Sequence, residues 1–197
     1  MAEPVVFFDV DTQVDFMLPS GSLYVKGAEE IVPNLRKLMA YAQAHRIPVL
    51  SSADAHPPDD PSFAQWPPHC VVGTPGQERI PETRLPKPYT VPNRPGTFTL
   101  PGAWPAQIII EKQEYDASTN ANFDAILQAF GKRQFIVFGV ATDYCVRDTA
   151  LSLLKKRCEV EIVTDAIKPI SIEGGRMALE EMTAAGARLV KAAEVCS

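Results

Sequence analysis

The sequence predicts an α/β protein: a three-layer α/β/α domain on a mainly parallel, six-stranded sheet, with residues 1–197 forming a single domain. Three observations predict it. Short apolar runs alternate with segments of helical periodicity along the whole chain. The runs are nearly continuous in hydrophobic residues, as expected of strands covered by helices on both faces. A length of 197 residues suits one domain with a full core.

In order, Val5–Val10 reads as the first strand. Ala28–His45 reads as a helix carrying Ile31, Leu35, Leu38 and Ala42 on one face. Pro48–Ala53 is the second predicted strand and Ile108–Lys112 the third. A helix over Asn120–Phe130 leads to a fourth strand at Gln134–Val140, and a helix over Asp143–Lys156 to a fifth at Val160–Thr164. The last helix, Gly175–Ala185, presents Met177, Leu179 and Met182, and a short sixth strand follows at Arg188–Lys191. Between Ala55 and Gln107 lie 13 of the 18 prolines, with little periodicity. Such a long excursion is unusual inside a compact domain. Trp66, His69, Phe98 and Trp104 give it enough apolar bulk to pack, and proline lowers the entropy of ordering it. It is read as an ordered loop region forming one wall of an active site.

Composition narrows the function. The 46% hydrophobic and 22% charged content is that of a globular domain. A net charge of −5, without a long run of either sign, speaks against nucleic acid and against a polybasic membrane anchor. No apolar run approaches the length of a membrane span. The four cysteines, Cys70, Cys145, Cys158 and Cys196, fit neither a zinc-finger pattern nor a disulfide framework. The start, Met-Ala-Glu-Pro, has no secretory pattern, so a reducing cytoplasm is the expected location.

In parallel sheets, ligands bind beyond the carboxyl ends of the strands. Here the first strand ends at Asp11, the second runs into Asp54-Ala55-His56, the third ends at Lys112, and the fourth precedes Cys145. A carboxylate near a thiol can take its proton and return it. An ammonium beside them stabilises both anions. Thr142 is the expected N-cap of the following helix, which places Cys145 in the first turn, where the helix dipole favours thiolate and backbone N–H groups can hold an oxyanion. Gln13 and Asp15 are read as holding loop backbone. Asp54, His56 and His69 supply one carboxylate and two imidazoles, a set that suits zinc, iron or manganese with positions left open. His45, Cys70 and Cys158 are read as structural, and Cys196 as lying at a frayed end.

Asp11-Thr12-Gln13-Val14-Asp15-Phe16, Asp54-Ala55-His56, Trp66-Pro67-Pro68-His69-Cys70, Lys112 and the run from Gly139 to Cys145 occur in the order found in the isochorismatase-like cysteine hydrolases, which the chain resembles over essentially its whole length. The metal-site motifs resemble the nicotinamidase/pyrazinamidase branch. The resemblance implies a catalytic triad of Asp11, Lys112 and Cys145, and an oxyanion hole from the N–H groups of Ala141 and Cys145. It further implies a cis peptide before Ala141, aromatic substrate contacts from Phe16 and Trp66 with Tyr144 tuning the pocket, and one divalent metal ion on Asp54, His56 and His69, zinc foremost, with iron or manganese as alternatives. A further His or Glu ligand of some relatives falls on Ser62 here, and Asp60 is a second candidate for that place. The implied activity is hydrolysis of nicotinamide, and of pyrazinamide, to the acid and ammonia through a Cys thioester, in NAD salvage. The implied partners are a small-molecule substrate and a second copy of the chain as a homo-oligomer. Two competitors stand beside it: another small-amide or carbamoyl hydrolase of the same superfamily, whose members often lack the metal residues, and a non-catalytic binding protein.

Overall fold

A computed structural model of the chain describes residues 4–99, 102, 104–131 and 133–197. Its centre is a parallel sheet of seven strands: β1 (Val5–Val10), β2 (Val49–Asp54), β3 (Tyr89–Val91), β4 (Gln107–Lys112), β5 (Gln134–Val140), β6 (Glu159–Lys168) and β7 (Arg188–Val190). Their order across the sheet is β3-β4-β2-β1-β5-β6-β7. The strand missed by the sequence reading is β3. Pro86, Pro88 and Pro92 surround it, and proline is tolerated there because an edge strand has one unpaired side.

Six α-helices accompany the sheet: α1 (Val14–Met17), α2 (Val32–His45), α3 (Phe123–Phe130), α4 (Arg147–Lys155), α5 (Ile172–Ala184) and α6 (Ala192–Val195). Successive side chains of β1 serve opposite faces. Val6, Phe8 and Val10 pack with Phe123, Ile126, Leu153 and Met182 of α3, α4 and α5. Phe7 packs with Leu35, Leu38, Met39 and Ala42 of α2. The three expected layers follow. No helix among the described residues is long and apolar enough to cross a membrane.

Three local expectations are corrected. Strand β6 runs on to Lys168 instead of ending at Thr164. Its polar Asp165 is not a terminator, because the carboxylate accepts the Ala192 N–H at 2.9 Å and so fastens α6. In α5 the buried residues are Gly175, Ala178 and Met182, while Met177 is exposed. Glycine at 175 lets the helix start close to Pro169, where a Cβ would stand 2.7 Å from the ring. Thr142 is not the N-cap of the helix after β5. That position belongs to Ala141, without a side-chain cap, and the Thr142 hydroxyl is buried with no hydrogen-bond partner.

The proline-rich region divides in two. Residues 56–79 wrap the carboxyl ends of β1 and β2. Phe98 and Trp104 pack away from them: Phe98 lies against Tyr89, and Trp104 stacks on Phe130 with ring centroids 4.7 Å apart. Only the first part forms the expected wall.

Candidate active site

The chain turns sharply where β1 and β5 end. Asp11 takes a left-handed conformation, φ 48°, immediately beyond β1. Gly139 has φ 119°, and a Cβ there would stand 2.0 Å from the Val10 carbonyl oxygen, so only glycine lets β5 lie this close to β1. The Val140–Ala141 peptide is cis, as the resemblance implied. The chain then enters one π-helical turn, Thr142–Val146, in which the Val146 N–H reaches back to the Ala141 carbonyl at 3.1 Å. Such turns insert a residue into a helix and recur at functional sites. Cys145 lies in this turn, 6% exposed.

Lys112, fully buried at the end of β4, joins the groups. Its Nζ lies 2.8 Å from Asp11 Oδ2 and 3.6 Å from Cys145 Sγ, and it is paired with Asp54 Oδ1. Burial alone would pull this ammonium down, but Asp11, Asp54 and Cys145 outweigh burial and hold it charged, well above its ordinary range. Asp11 Oδ1 accepts the Ser52 hydroxyl at 2.6 Å. Asp11 Oδ2 is the oxygen that faces the Lys112 ammonium, so the two carboxylate oxygens are divided between Ser52 and Lys112. Burial pushes the Asp11 carboxyl up, against the pull of Lys112, and so strengthens it as a base. Burial also pushes the Cys145 thiol up, with Lys112 offsetting part of the effect. This direction is opposite to the one expected at a helix start.

Asp54 connects this group to a second one. Its Oδ1 faces Lys112, while Oδ2 lies 3.6 Å from His56 Nε2 and 3.7 Å from His69 Nε2. Burial would raise the Asp54 carboxyl, yet Lys112 and the two imidazoles outweigh it and hold Asp54 far below the usual carboxylate range. The other nitrogens of both rings are engaged: His69 Nδ1 contacts the Pro67 carbonyl at 2.9 Å, and His56 Nδ1 contacts Asp60 Oδ2 at 2.9 Å. A carbonyl can only accept, so His69 Nδ1 carries a hydrogen, and Nε2 is the ring nitrogen that faces Asp54. One ligand atom from each of Asp54, His56 and His69 can be chosen within 4.8 Å of the others, a buried oxygen-and-imidazole set that fits a divalent cation. Asp60 stands against this set. Its Oδ2 orients His56 and its Oδ1 accepts the Ser62 N–H at 2.8 Å.

Beside Cys145 is a small cavity. Phe16, Trp66, Ala141 and Tyr144 line it, together with Asp54 and His69. Every sequence-predicted site residue therefore falls in or against one connected region, Asp11 and Lys112 being fully buried and linked to Cys145 through the Lys112 ammonium. Gln13 holds loop backbone as expected, its amide bridging Asp54 and Gln77 at 2.7 to 2.9 Å. Asp15 does so too, accepting the N–H groups of Ser22 and Cys70. Two residues were missed. Tyr115, just past β4, accepts the Trp66 indole N–H at 2.9 Å and lines the cavity, and the strand-end reasoning that found Lys112 would have reached it. Ser52, inside β2, gave no signal, because nothing in the sequence ties a strand serine to Asp11.

The isochorismatase domain profile matches residues 5–194. The nicotinamidase/pyrazinamidase of Mycobacterium tuberculosis is 31% identical over 188 residues, covering 92% of this chain and 95% of that protein. The nicotinamidase of Acinetobacter baylyi is 28% identical, covering 94% and 92%. Among solved structures, the pyrazinamidase of Pyrococcus horikoshii in complex with zinc superposes with a TM-score of 0.79 at 31% identity, over 95% of this chain and 99% of that one. With the parallel sheet, the cysteine at its edge and relatives aligned end to end, the chain belongs to the isochorismatase family.

Proposed function

We propose that the chain is a cysteine amidohydrolase that converts nicotinamide to nicotinate and ammonia, and pyrazinamide to its acid, with the nicotinamide reaction serving NAD salvage. The observation that carries this reading is the Lys112 ammonium set against Asp11, Asp54 and Cys145 at the edge of an aromatic-lined cavity. The nicotinamidase and pyrazinamidase relatives support the substrate class.

Asp11 accepts the Cys145 proton on its carboxylate, and the thiolate attacks the carboxamide carbon. The N–H groups of Ala141 and Cys145 receive the developing oxyanion. Asp11 returns the proton to the departing nitrogen, which leaves as ammonia, and a thioester remains on Cys145. Water then loses a proton to Asp11 and adds to the thioester carbon. Collapse expels the sulfur, which recovers the proton from Asp11, and the acid is released. Lys112 holds the negative charge shared by Asp11 and the sulfur through both halves. Phe16, Trp66 and Tyr144 give the flat ring apolar surface. A divalent cation on Asp54, His56 and His69, zinc foremost, would supply a Lewis-acid contact for a ring nitrogen.

The test is ammonia release from nicotinamide, pyrazinamide and an aliphatic amide, before and after chelation and with metal restored. Turnover of the two ring amides, lost on chelation, regained with a divalent metal and absent in Cys145→Ala, is the expected result. Amidase activity that survives Cys145→Ala overturns the mechanism. Turnover of the aliphatic amide alone overturns the substrate.

A further inference from the structure

Beneath Asp11 lies a second buried acid–base pair that the proposed mechanism does not use. Asp9 is fully buried inside β1, and Arg79, 6% exposed, enters from the loop that follows His69. The guanidinium is paired with Asp9 Oδ2. Arg79 Nη2 also donates to Thr12 Oγ1 at 2.7 Å, and Nη1 donates to the Ser52 carbonyl at 2.7 Å. The Thr12 hydroxyl donates in turn to Asp9 Oδ1 at 2.9 Å.

These partners surround one residue. Ser52 holds Asp11 twice, through its hydroxyl on Oδ1 at 2.6 Å and its carbonyl on the Asp11 N–H at 3.3 Å. Thr12 is the next residue along the chain. Asp11 itself stands at φ 48°, a conformation that a side-chain-bearing residue keeps only when its surroundings over-determine it. Simple stability does not explain the pair. Burying two ions is seldom better than burying apolar groups of the same size, and Arg79 Nε is left buried without a partner.

We propose that Asp9 and Arg79 are positioning residues. Together they clamp Ser52 and Thr12, hold Asp11 in its left-handed turn and keep its carboxylate against the Lys112 ammonium that contacts the Cys145 sulfur. The proposal rests on the reading of Asp11 as the base for Cys145. It assigns Asp9 and Arg79 no contact with substrate.

The experiment compares the full-length protein with Asp9→Asn, Arg79→Lys and the apolar double variant Asp9→Leu/Arg79→Met. Three quantities are read: the melting temperature, kcat and KM for nicotinamide, and the rate of Cys145 alkylation by iodoacetamide, followed by mass spectrometry of the Cys145 peptide. A displaced base slows both chemistries, so kcat and the alkylation rate are expected to fall together in the double variant, on the order of 10²-fold. KM should stay near the unmodified value, because the cavity walls are untouched. Arg79→Lys keeps the charge but not the forked contacts and should fall between. A double variant that folds and keeps both rates overturns the proposal, whatever its melting temperature. If the double variant does not fold, unchanged rates in folded Arg79→Lys overturn it equally. The alkylation arm needs no substrate, so a failure of the nicotinamide reading would show in the unmodified protein and remain distinct from a failure of the pair.

Discussion

At the scale of single residues, the site is arranged so that each buried charge faces its opposite. Asp54 divides its two oxygens between an ammonium and a pair of imidazoles, and Asp60 fixes the far side of one of those rings. Outer partners of this kind orient a ligand and raise its basicity. Asp60→Ala is therefore expected to weaken divalent-metal affinity by about 10- to 100-fold, with the fold intact. Calorimetric titration of the metal-free protein with zinc checks it, and unchanged affinity would remove Asp60 from the site. The first-order residues were legible in the sequence because their types are unusual at strand ends: a carboxylate, a lysine, a His-bearing pair and a thiol. Ser52, Asp9 and Arg79 were not. A serine inside a strand and an arginine in a proline-rich loop look like ordinary surface or packing residues until the fold joins β1, β2 and the loop. The upward push on the Cys145 thiol was also illegible, because burial outweighs the helix position that the sequence displays.

At the scale of elements, most strands and helices were readable to within a few residues, since both faces of the sheet are covered and the apolar runs are unbroken. The misreadings fell where packing replaces pattern: β3 among prolines, β6 continuing through Asp165, and α5 turned so that Gly175 and Ala178 face inward. The joint between β1 and β5 depends on a single missing side chain. Gly139→Ala would push a methyl group into the Val10 carbonyl and force an unfavourable φ. A loss of at least about 3 kcal/mol in unfolding free energy is expected, through steric and backbone strain together. Denaturant titration measures it, and a near-neutral substitution would show that the two strands can separate without cost. The second part of the proline-rich region makes a contrasting case. Trp104→Ala should lower stability by about 1 kcal/mol through loss of the Phe130 stack. It should leave kcat unchanged, and a marked fall in kcat would return that segment to the active-site wall.

At the scale of the whole molecule, the buried thiols set the alkaline limit. Burial pushes Cys70 and Cys145 well above the ordinary range, and Cys158 upward to a lesser degree. In the unfolded chain these thiols ionise near about pH 8.5. Groups raised on folding contribute stability that is fully present below the unfolded value and is lost as pH rises beyond it. Unfolding free energy is thus expected to decline from about pH 8.5 upward, with Cys70→Ala reducing the slope. Urea midpoints between neutral pH and pH 10 test this, and a flat profile in the unmodified protein would contradict it.

The strand order carries a consequence for how the molecule is made. Of the described strands, β1 is the earliest in the chain, yet it lies in the middle of the sheet with β2 on one edge and β5 on the other. A ribosome therefore delivers the central strand first and its second neighbour only from residue 134 onward. Throughout that interval one edge of β1 awaits its partner and the face of Val6, Phe8 and Val10 still lacks α4 and α5, the circumstance in which nascent chains aggregate or engage chaperones. Asp11 and Cys145 meet only when β5 docks, so regain of catalysis on refolding marks the closing of the sheet's centre.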